Sequence, residues 1–371
     1  MKLKIPELQI GNLKARIPII QGGMSVGISL SGLASAVANE GGIGVIGAAG
    51  IGMLEPDFAM NFHKANERAL RKEIRKAREK TNGIIGVNIM VALTDFDALV
   101  SVAIEEGADL LFLGAGLPLK KPETLVSKTT GKVVKIVPIV SSAKAATIIF
   151  KYWATHYHYI PDAAVVEGPL AGGHLGFKKE QIASPDYTLE KILPEVISAI
   201  KPFEEQFNKK IPVIAAGGIY TGRDIYKFMQ LGASGVQMAT RFVATFECDA
   251  SEEFKQAYLK CKKDDIIIID SPVGMPARAI RNKFLDDVSK GLRKPINCPW
   301  KCLKPCDYRK SPYCIARALT NAKKGNFKEG FVFVGANAWR VNKIISVKEL
   351  ISDLLREYEE AALQKYSNLK E

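Results

Sequence analysis

The chain has 371 residues, 47% of them hydrophobic, with 52 Lys and Arg against 39 Asp and Glu for a formal charge of +13. That is enough apolar material for a full core, which excludes a disordered or fibrous chain. No run approaches the ~18 uninterrupted apolar residues of a membrane span. Residues 41–54 are the longest weakly polar region and are glycine-rich, and residues 1–10 hold no apolar leader core, so a cytoplasmic location is expected.

In chain order, apolar runs at 17–20, 44–46, 84–90, 109–113, 134–140, 163–167, 212–216 and 235–238 read as strands, most of them ending at glycine or another small or polar residue. Helical spacing separates several of them: 31–39, the basic stretch 63–80, 96–106 and 188–207, then a helix opened by Thr221 and Asp224 and closed by Gly232. Eight strands alternating with helices predict a parallel sheet covered on its outside. A closed (β/α)8 barrel over residues 1–260 is the economical solution, with an open doubly wound sheet as the alternative. Beyond 254–259 the rhythm fails. An apolar run at 266–269, a strand at 331–334 and a terminal helix at 347–363 are expected there. Residues 261–371 thus read as a C-terminal extension packed on the barrel, too broken by Pro and Gly to build a large core alone.

The basic stretch carries Lys64, Arg68, Arg71, Lys72, Arg75, Lys76, Arg78 and Lys80, interleaved with Glu67, Glu73 and Glu79, and Leu70, Ile74 and Ala77 mark its buried side. A solvated face laced with ion pairs is the favoured reading. The sharper reading is a dock for an acidic partner or a phosphorylated substrate. Nucleic acid is not expected, because no aromatic stacking pattern accompanies the charge.

Two stretches can carry chemistry. In 211–242, two turns, Gly217-Gly218 and Ala239-Thr240, follow successive strands on one sheet edge. Bare backbone N–H groups there can grip a phosphate, as the loops after strands seven and eight do in such barrels; two ordinary tight turns are the alternative. In 167–177, Gly172, Gly173 and Gly176 surround His174 just after a strand, which offers an imidazole for proton transfer. His63, His156 and His158 lack that setting. Finally, Cys298, Cys302, Cys306 and Cys314 crowd seventeen residues, with Pro299 and Pro305 favouring a loop. Loop thiolates at short spacing suit zinc or an iron–sulfur cluster, and free or paired thiols are the other reading.

PIIQGGM at 18–24, GVNIM at 86–90, VVEGPLAGGHLGF at 165–177, IPVIAAGGI at 211–219 and GASGVQMATRF at 232–242 together resemble the nitronate monooxygenase (2-nitropropane dioxygenase) family. The FMN-dependent enoyl-acyl-carrier-protein reductases share its superfamily, and SPVGMPARAIRN at 271–282 resembles a segment of both. The resemblance implies a TIM barrel with non-covalent FMN. It assigns Gln21, Gly22, Gly23 and Met24 to the isoalloxazine ring, Asn88, Glu167 and Gly172 to the flavin, and Gly217, Gly218, Gln237, Met238, Ala239 and Thr240 to the phosphate. Glu167 stands where some relatives have Gln, and Ala239 where many have Gly. Lys144 is a further candidate contact, and His174 matches the family's base or proton donor.

Two enzymatic activities follow from the resemblance. A monooxygenase would oxidise nitronates with oxygen, His174 deprotonating a neutral nitroalkane when one is offered. A reductase would use NAD(P)H on an enoyl thioester, with an acidic acyl carrier protein as partner for the basic helix. A flavin and metal electron-transfer protein without turnover is the remaining reading. An iron–sulfur cluster fits a reductase better than an enzyme that uses oxygen.

Overall fold

Eight short apolar runs, buried on both faces, become the parallel strands of a closed barrel: β1 Ile19–Gln21, β2 Ile43–Gly47, β3 Ile84–Met90, β4 Leu110–Gly114, β5 Lys135–Val140, β6 Ala164–Glu167, β7 Val213–Ala216 and β8 Gly235–Met238. The computed structural model describes residues 5–293 and 298–368; residues 1–4, part of the stretch read as lacking a leader core, lie outside them. Closure is made by β8 on β1, with Val236, Gln237 and Met238 opposite Ile19, Ile20 and Gln21. That pairing removes the open-sheet alternative. A short hairpin, Leu8–Ile10 with Leu13–Ala15, precedes the barrel and adds Leu8, Ile10 and Ala15 to the cluster that fills its interior.

Alternation along the strands decides what faces that interior. Ile20, Val45, Phe112, Val137, Val165 and Ile214 fill it, while Ile19, Ile46, Leu111, Ile136, Val166 and Ala215 pack outward under the helices. Close helix contact depends on one glycine in particular. A Cβ at Gly44 would fall onto the backbone carbonyl of Ala34 in the helix Ser31–Asn39. Gly44→Ala is therefore expected to cost about 3 kcal/mol, the upper range for overpacking a core, and to show as a lowered denaturant midpoint with unchanged slope.

The basic stretch lies in one helix, Phe58–Lys80, whose Ala69, Leu70, Ile74 and Ala77 are buried. Its charges are largely spent within the fold. Arg71 bonds Glu106 and, at 2.9 Å, Glu105; Arg75 reaches Glu106 at 2.6 Å; Arg78 reaches Asp109 at 2.7 Å; Arg68 pairs with Asp57. These contacts support the ion-paired face over a docking surface. Among the described residues no helix is long and apolar enough to cross a membrane.

Two sequence expectations need correction. The helix Ala143–Tyr157 has no counterpart among the expected elements: Ser142 caps it by accepting the Ala145 N–H, and Lys144 lies in its first turn rather than at a strand end. The expected strand at 331–334 is a single bridge from Phe333 to Ala279, held by the Ile280 N–H on Val332 O at 2.9 Å and the Val334 N–H on Arg278 O at 3.1 Å. The residues after 261 form no detached unit. The strands Ile266–Asp270 and Pro276–Ile280 pair with each other, and the second pairs with Gly173–His174, the two-residue strand that follows β6. The terminal helix Val347–Asn368 packs on the helix Gly222–Gln230, where Glu357 accepts the Gly222 N–H at 2.7 Å.

Candidate active site

At the C-terminal end of the barrel the inward positions turn polar. Ile84 and Val165 face the interior, and two-residue alternation puts Asn88 and Glu167 on that same side. Gln237 belongs to the same layer by register, since Glu167 lies opposite Ala216 and Ala216 opposite Gln237. The turn after β1 closes over them. A Cβ at Gly23 would collide with Asn88, and one at Gly22 would come within 3.3 Å of Gln237 Cγ. The structure thus gathers Gly22, Gly23, Asn88, Glu167 and Gln237. The Gln21 amide is engaged within the fold: it donates to Gly22 O at 2.6 Å and accepts the Val45 N–H at 3.0 Å. Its side chain is buried and ties β1 to β2. Met24 is fixed by the Ser29 hydroxyl, which accepts its N–H at 2.8 Å.

The turns after β7 and β8 form the second part of the site. Gly217 and Gly218 take φ of 92° and 85°, values that disfavour any Cβ. The Asn337 amide holds Gly218 O at 2.7 Å. Ala239 stands at the start of the short helix Thr240–Val243. The N–H groups of Gly218, Ala239 and Thr240 donate to no acceptor among the described residues. Three free donors on adjacent loops match the chemistry of a phosphate cradle. Gly172 crosses the backbone of the extension, where a Cβ would sit 2.7 Å from Gly335 N, and Gly335 in turn approaches the Thr240 hydroxyl. Lys144 is exposed, and its ammonium pairs with no carboxylate among the described residues.

His174 is built from both halves of the chain. Its backbone pairs with Ala277, its Nε2 lies 2.7 Å from Ser271 Oγ, and its ring stands edge-on to Phe333 at 5.1 Å. Burial lowers its pKa to about 4, so the imidazole is neutral and can accept a proton. Burial raises Glu167 to about 7, which makes the carboxyl a hydrogen-bond donor for much of its time near neutrality. Arg278 is buried, donates to Pro169 O at 2.9 Å and to Ala171 O, and so locks the turn that carries Gly172 and His174. Ser271, Arg278, Phe333 and Asn337 were not assigned roles from sequence. The first two lie in SPVGMPARAIRN, a segment visible as a motif, but nothing in it announces a partner 97 residues away.

The four clustered cysteines lie in a loop, as the two prolines require, with Cys314 at the N-cap of the helix Ile315–Lys323. All six cysteines are free thiols. Burial, followed by the charges of Cys314, Cys298 and Cys306, pushes the Cys302 thiol up to about 12. Among the described residues, no three His, Cys, Asp or Glu stand close enough to hold one metal ion.

A closed (β/α)8 barrel with a polar inner layer at the C-terminal ends of its strands, N–H donors after β7 and β8, and a neutral histidine on the segment after β6 has the layout of a barrel enzyme. The chain belongs to the nitronate monooxygenase family, whose model matches residues 7–357. A probable nitronate monooxygenase of Staphylococcus aureus (strain Newman) is 30% identical over 308 residues, covering 75% of this chain and 79% of the relative. A Mycobacterium tuberculosis protein, (3aS,4S,5R,7aS)-5-hydroxy-7a-methyl-1-oxo-octahydro-1H-indene-4-carboxyl-CoA dehydrogenase, is 28% identical over 293 residues, 79% of this chain and 70% of that one. Among solved structures, FabK from Thermotoga maritima superposes with a TM-score of 0.72 at 30% identity, covering 95% of this chain and 96% of that chain. Nitroalkane oxidase from Streptomyces ansochromogenes, at 21% identity and a TM-score of 0.69 over 94% and 97% of the two chains, shares the fold.

Proposed function

We propose that the chain is an FMN-dependent nitronate monooxygenase that oxidises alkyl nitronates, and neutral nitroalkanes after deprotonation by His174. The observation that carries this reading is the buried, neutral imidazole with Nε2 on Ser271. At neutral pH an imidazole of so low a pKa stays unprotonated, so it has a lone pair to take a proton and no imidazolium proton to give up, although it is a weaker base than an ordinary histidine. A reductase would instead need a proton donor at the α-carbon. FMN, when bound, supplies the electron acceptor. Gly218, Ala239 and Thr240 would hold its phosphate by their free N–H groups, and Gly22, Gly23, Asn88, Glu167 and Gln237 would border its ring system. Ser271 orients His174, while Arg278 fixes the turn beneath it.

The test is flavin absorbance of anaerobic protein, with an alkyl nitronate in one cuvette and NAD(P)H in another. Bleaching by nitronate with indifference to the nicotinamide supports the reading. Rapid bleaching by NAD(P)H alone overturns it in favour of enoyl-thioester reduction, a second reading favoured by the likeness to a carboxyl-CoA dehydrogenase. The ion-paired basic helix gives that second reading no carrier-protein dock.

Glu167 provides a separate check on the ring-binding assignment. With its pKa raised to about 7 by burial, the neutral, donating carboxyl prevails below that pH and the carboxylate above it. FMN affinity, read by flavin fluorescence quenching, is expected to fall between pH 6 and 8. Glu167→Gln keeps a donor at every pH and should flatten that dependence. An unaltered pH profile in the variant would remove Glu167 from the flavin environment.

A further inference from the structure

The motif that the proposed function leaves unused is the cysteine run, and the structure gives it a common centre. Cys298, Cys302, Cys306 and Cys314 all line one cavity of about 20 Å³, together with Lys301, Tyr308, Ser311 and Tyr313. We propose that these four cysteines bind a four-iron, four-sulfide cluster in that cavity, at the catalytic rim of the barrel.

The geometry separates a cluster from a single ion. Four thiolates on one zinc, each at about 2.3 Å, meet at a point and leave no void between them. Here the four cysteines line one void, and no three ligands among the described residues stand close enough for one ion. A cubane spreads its cysteine ligands around an inorganic core, so its four ligands border a common space without converging on one point. A second, independent observation points to a ligand. The hydroxyl of Tyr313, a residue only 6% exposed, has no hydrogen-bond partner although Tyr313 lines the cavity. A cluster sulfide or a ligating sulfur would accept it.

Charge and anchoring agree with this. A cubane with four thiolates is an anion in its usual oxidised state, and the run between Cys298 and Cys314 holds Lys301, Lys304, Arg309 and Lys310 against Asp307 alone. Cys314 sits at the N-cap of a nine-residue helix, whose positive end favours a thiolate. The loop is pinned to the barrel. Thr94 donates to Cys302 O at 3.1 Å, Lys304 donates to Ala92 O at 2.8 Å, and Leu303 bridges to Leu93. Cys302 also packs in a cluster with Met53 and Phe62. These partners belong to the segments that follow β2 and β3, so the site adjoins the end of the barrel that carries Asn88. Cys248 and Cys261 line no part of the cavity.

The experiment is iron and acid-labile sulfide analysis of full-length protein purified without oxygen, with flavin content measured on the same sample. About four irons and four sulfides per chain are expected, with an electron paramagnetic resonance signal after dithionite reduction. Protein isolated without metal should take up the same complement from ferrous iron and sulfide. Failure to do so, one zinc per chain without sulfide, or iron without sulfide overturns the proposal. Cys302→Ser should lose the cluster, and Cys248→Ser and Cys261→Ser should keep it; equal iron in all three overturns it as well. Should Cys302→Ser fail to fold, Tyr313→Phe gives the test: full iron content with a lowered cluster potential is expected, and an unchanged potential overturns the role of the hydroxyl. Flavin content is read independently, so loss of either assignment leaves the other measurable.

Discussion

Replacing His174 by Ala is expected to lower kcat/KM for a neutral nitroalkane by about 10²–10⁴-fold, the usual contribution of a positioned base. Turnover of the pre-formed nitronate anion should change by no more than about threefold, because no proton then has to be removed. The reason lies in the split between the two substrates. The imidazole is held by Ser271 at 2.7 Å and kept neutral by burial, its pKa lowered to about 4. Protonation removes the base, so the acid limb for the neutral substrate should lie near pH 4 rather than near the ordinary histidine value of about 6.5. Oxygen consumption against pH, with both substrates and both proteins, measures all of this. Equal losses on nitroalkane and nitronate would make His174 a positioning residue, and full activity on the nitroalkane would end its role as base.

What the chain reveals before folding is governed by the range of its interactions. The barrel strands are legible because each apolar run is buried on both faces and punctuated by glycine or a polar residue, as at Ile84–Met90 and Gly235–Met238, whose bounds agree residue for residue. The glycine turns are legible because their positive φ leaves few alternatives to glycine. The helix Ala143–Tyr157 is less legible because Ser141, Ser142 and Ala143 also suit a strand end, although Ser142 is a helix cap. The partners of His174 are illegible for a different reason. A two-residue strand has no periodicity, and pairing Gly173 and His174 with Arg278 and Ala277 joins segments about a hundred residues apart. No local pattern encodes that contact. Gln21 shows the converse limit: its motif is readable, but the use of its amide between β1 and β2 appears only once the strands stand side by side.

The same long-range packing makes one methyl group at Gly217 consequential. Gly217 has φ of 92°, and a Cβ there would lie 2.8 Å from Gly168 O and 3.1 Å from Ala171 N. Left-handed backbone alone costs an L-residue about 1–2 kcal/mol. The clash adds a displacement of the 168–171 turn, which Arg278 holds through Pro169 O and Ala171 O and which leads directly into Gly172 and His174. Gly217→Ala is therefore expected to weaken FMN binding by at least about tenfold, the equivalent of 1.4 kcal/mol, and to lower activity on neutral nitroalkanes even at saturating flavin. Gly131 supplies the control, since its φ is 67° and no atom lies within 4 Å of an added Cβ. Gly131→Ala carries the backbone strain without the clash, and FMN affinity by fluorescence titration should stay near that of the parent chain. Equal affinities for FMN in the two variants would mean that the β7 turn does not hold the phosphate, and the cradle would then have to be sought in the β8 turn alone.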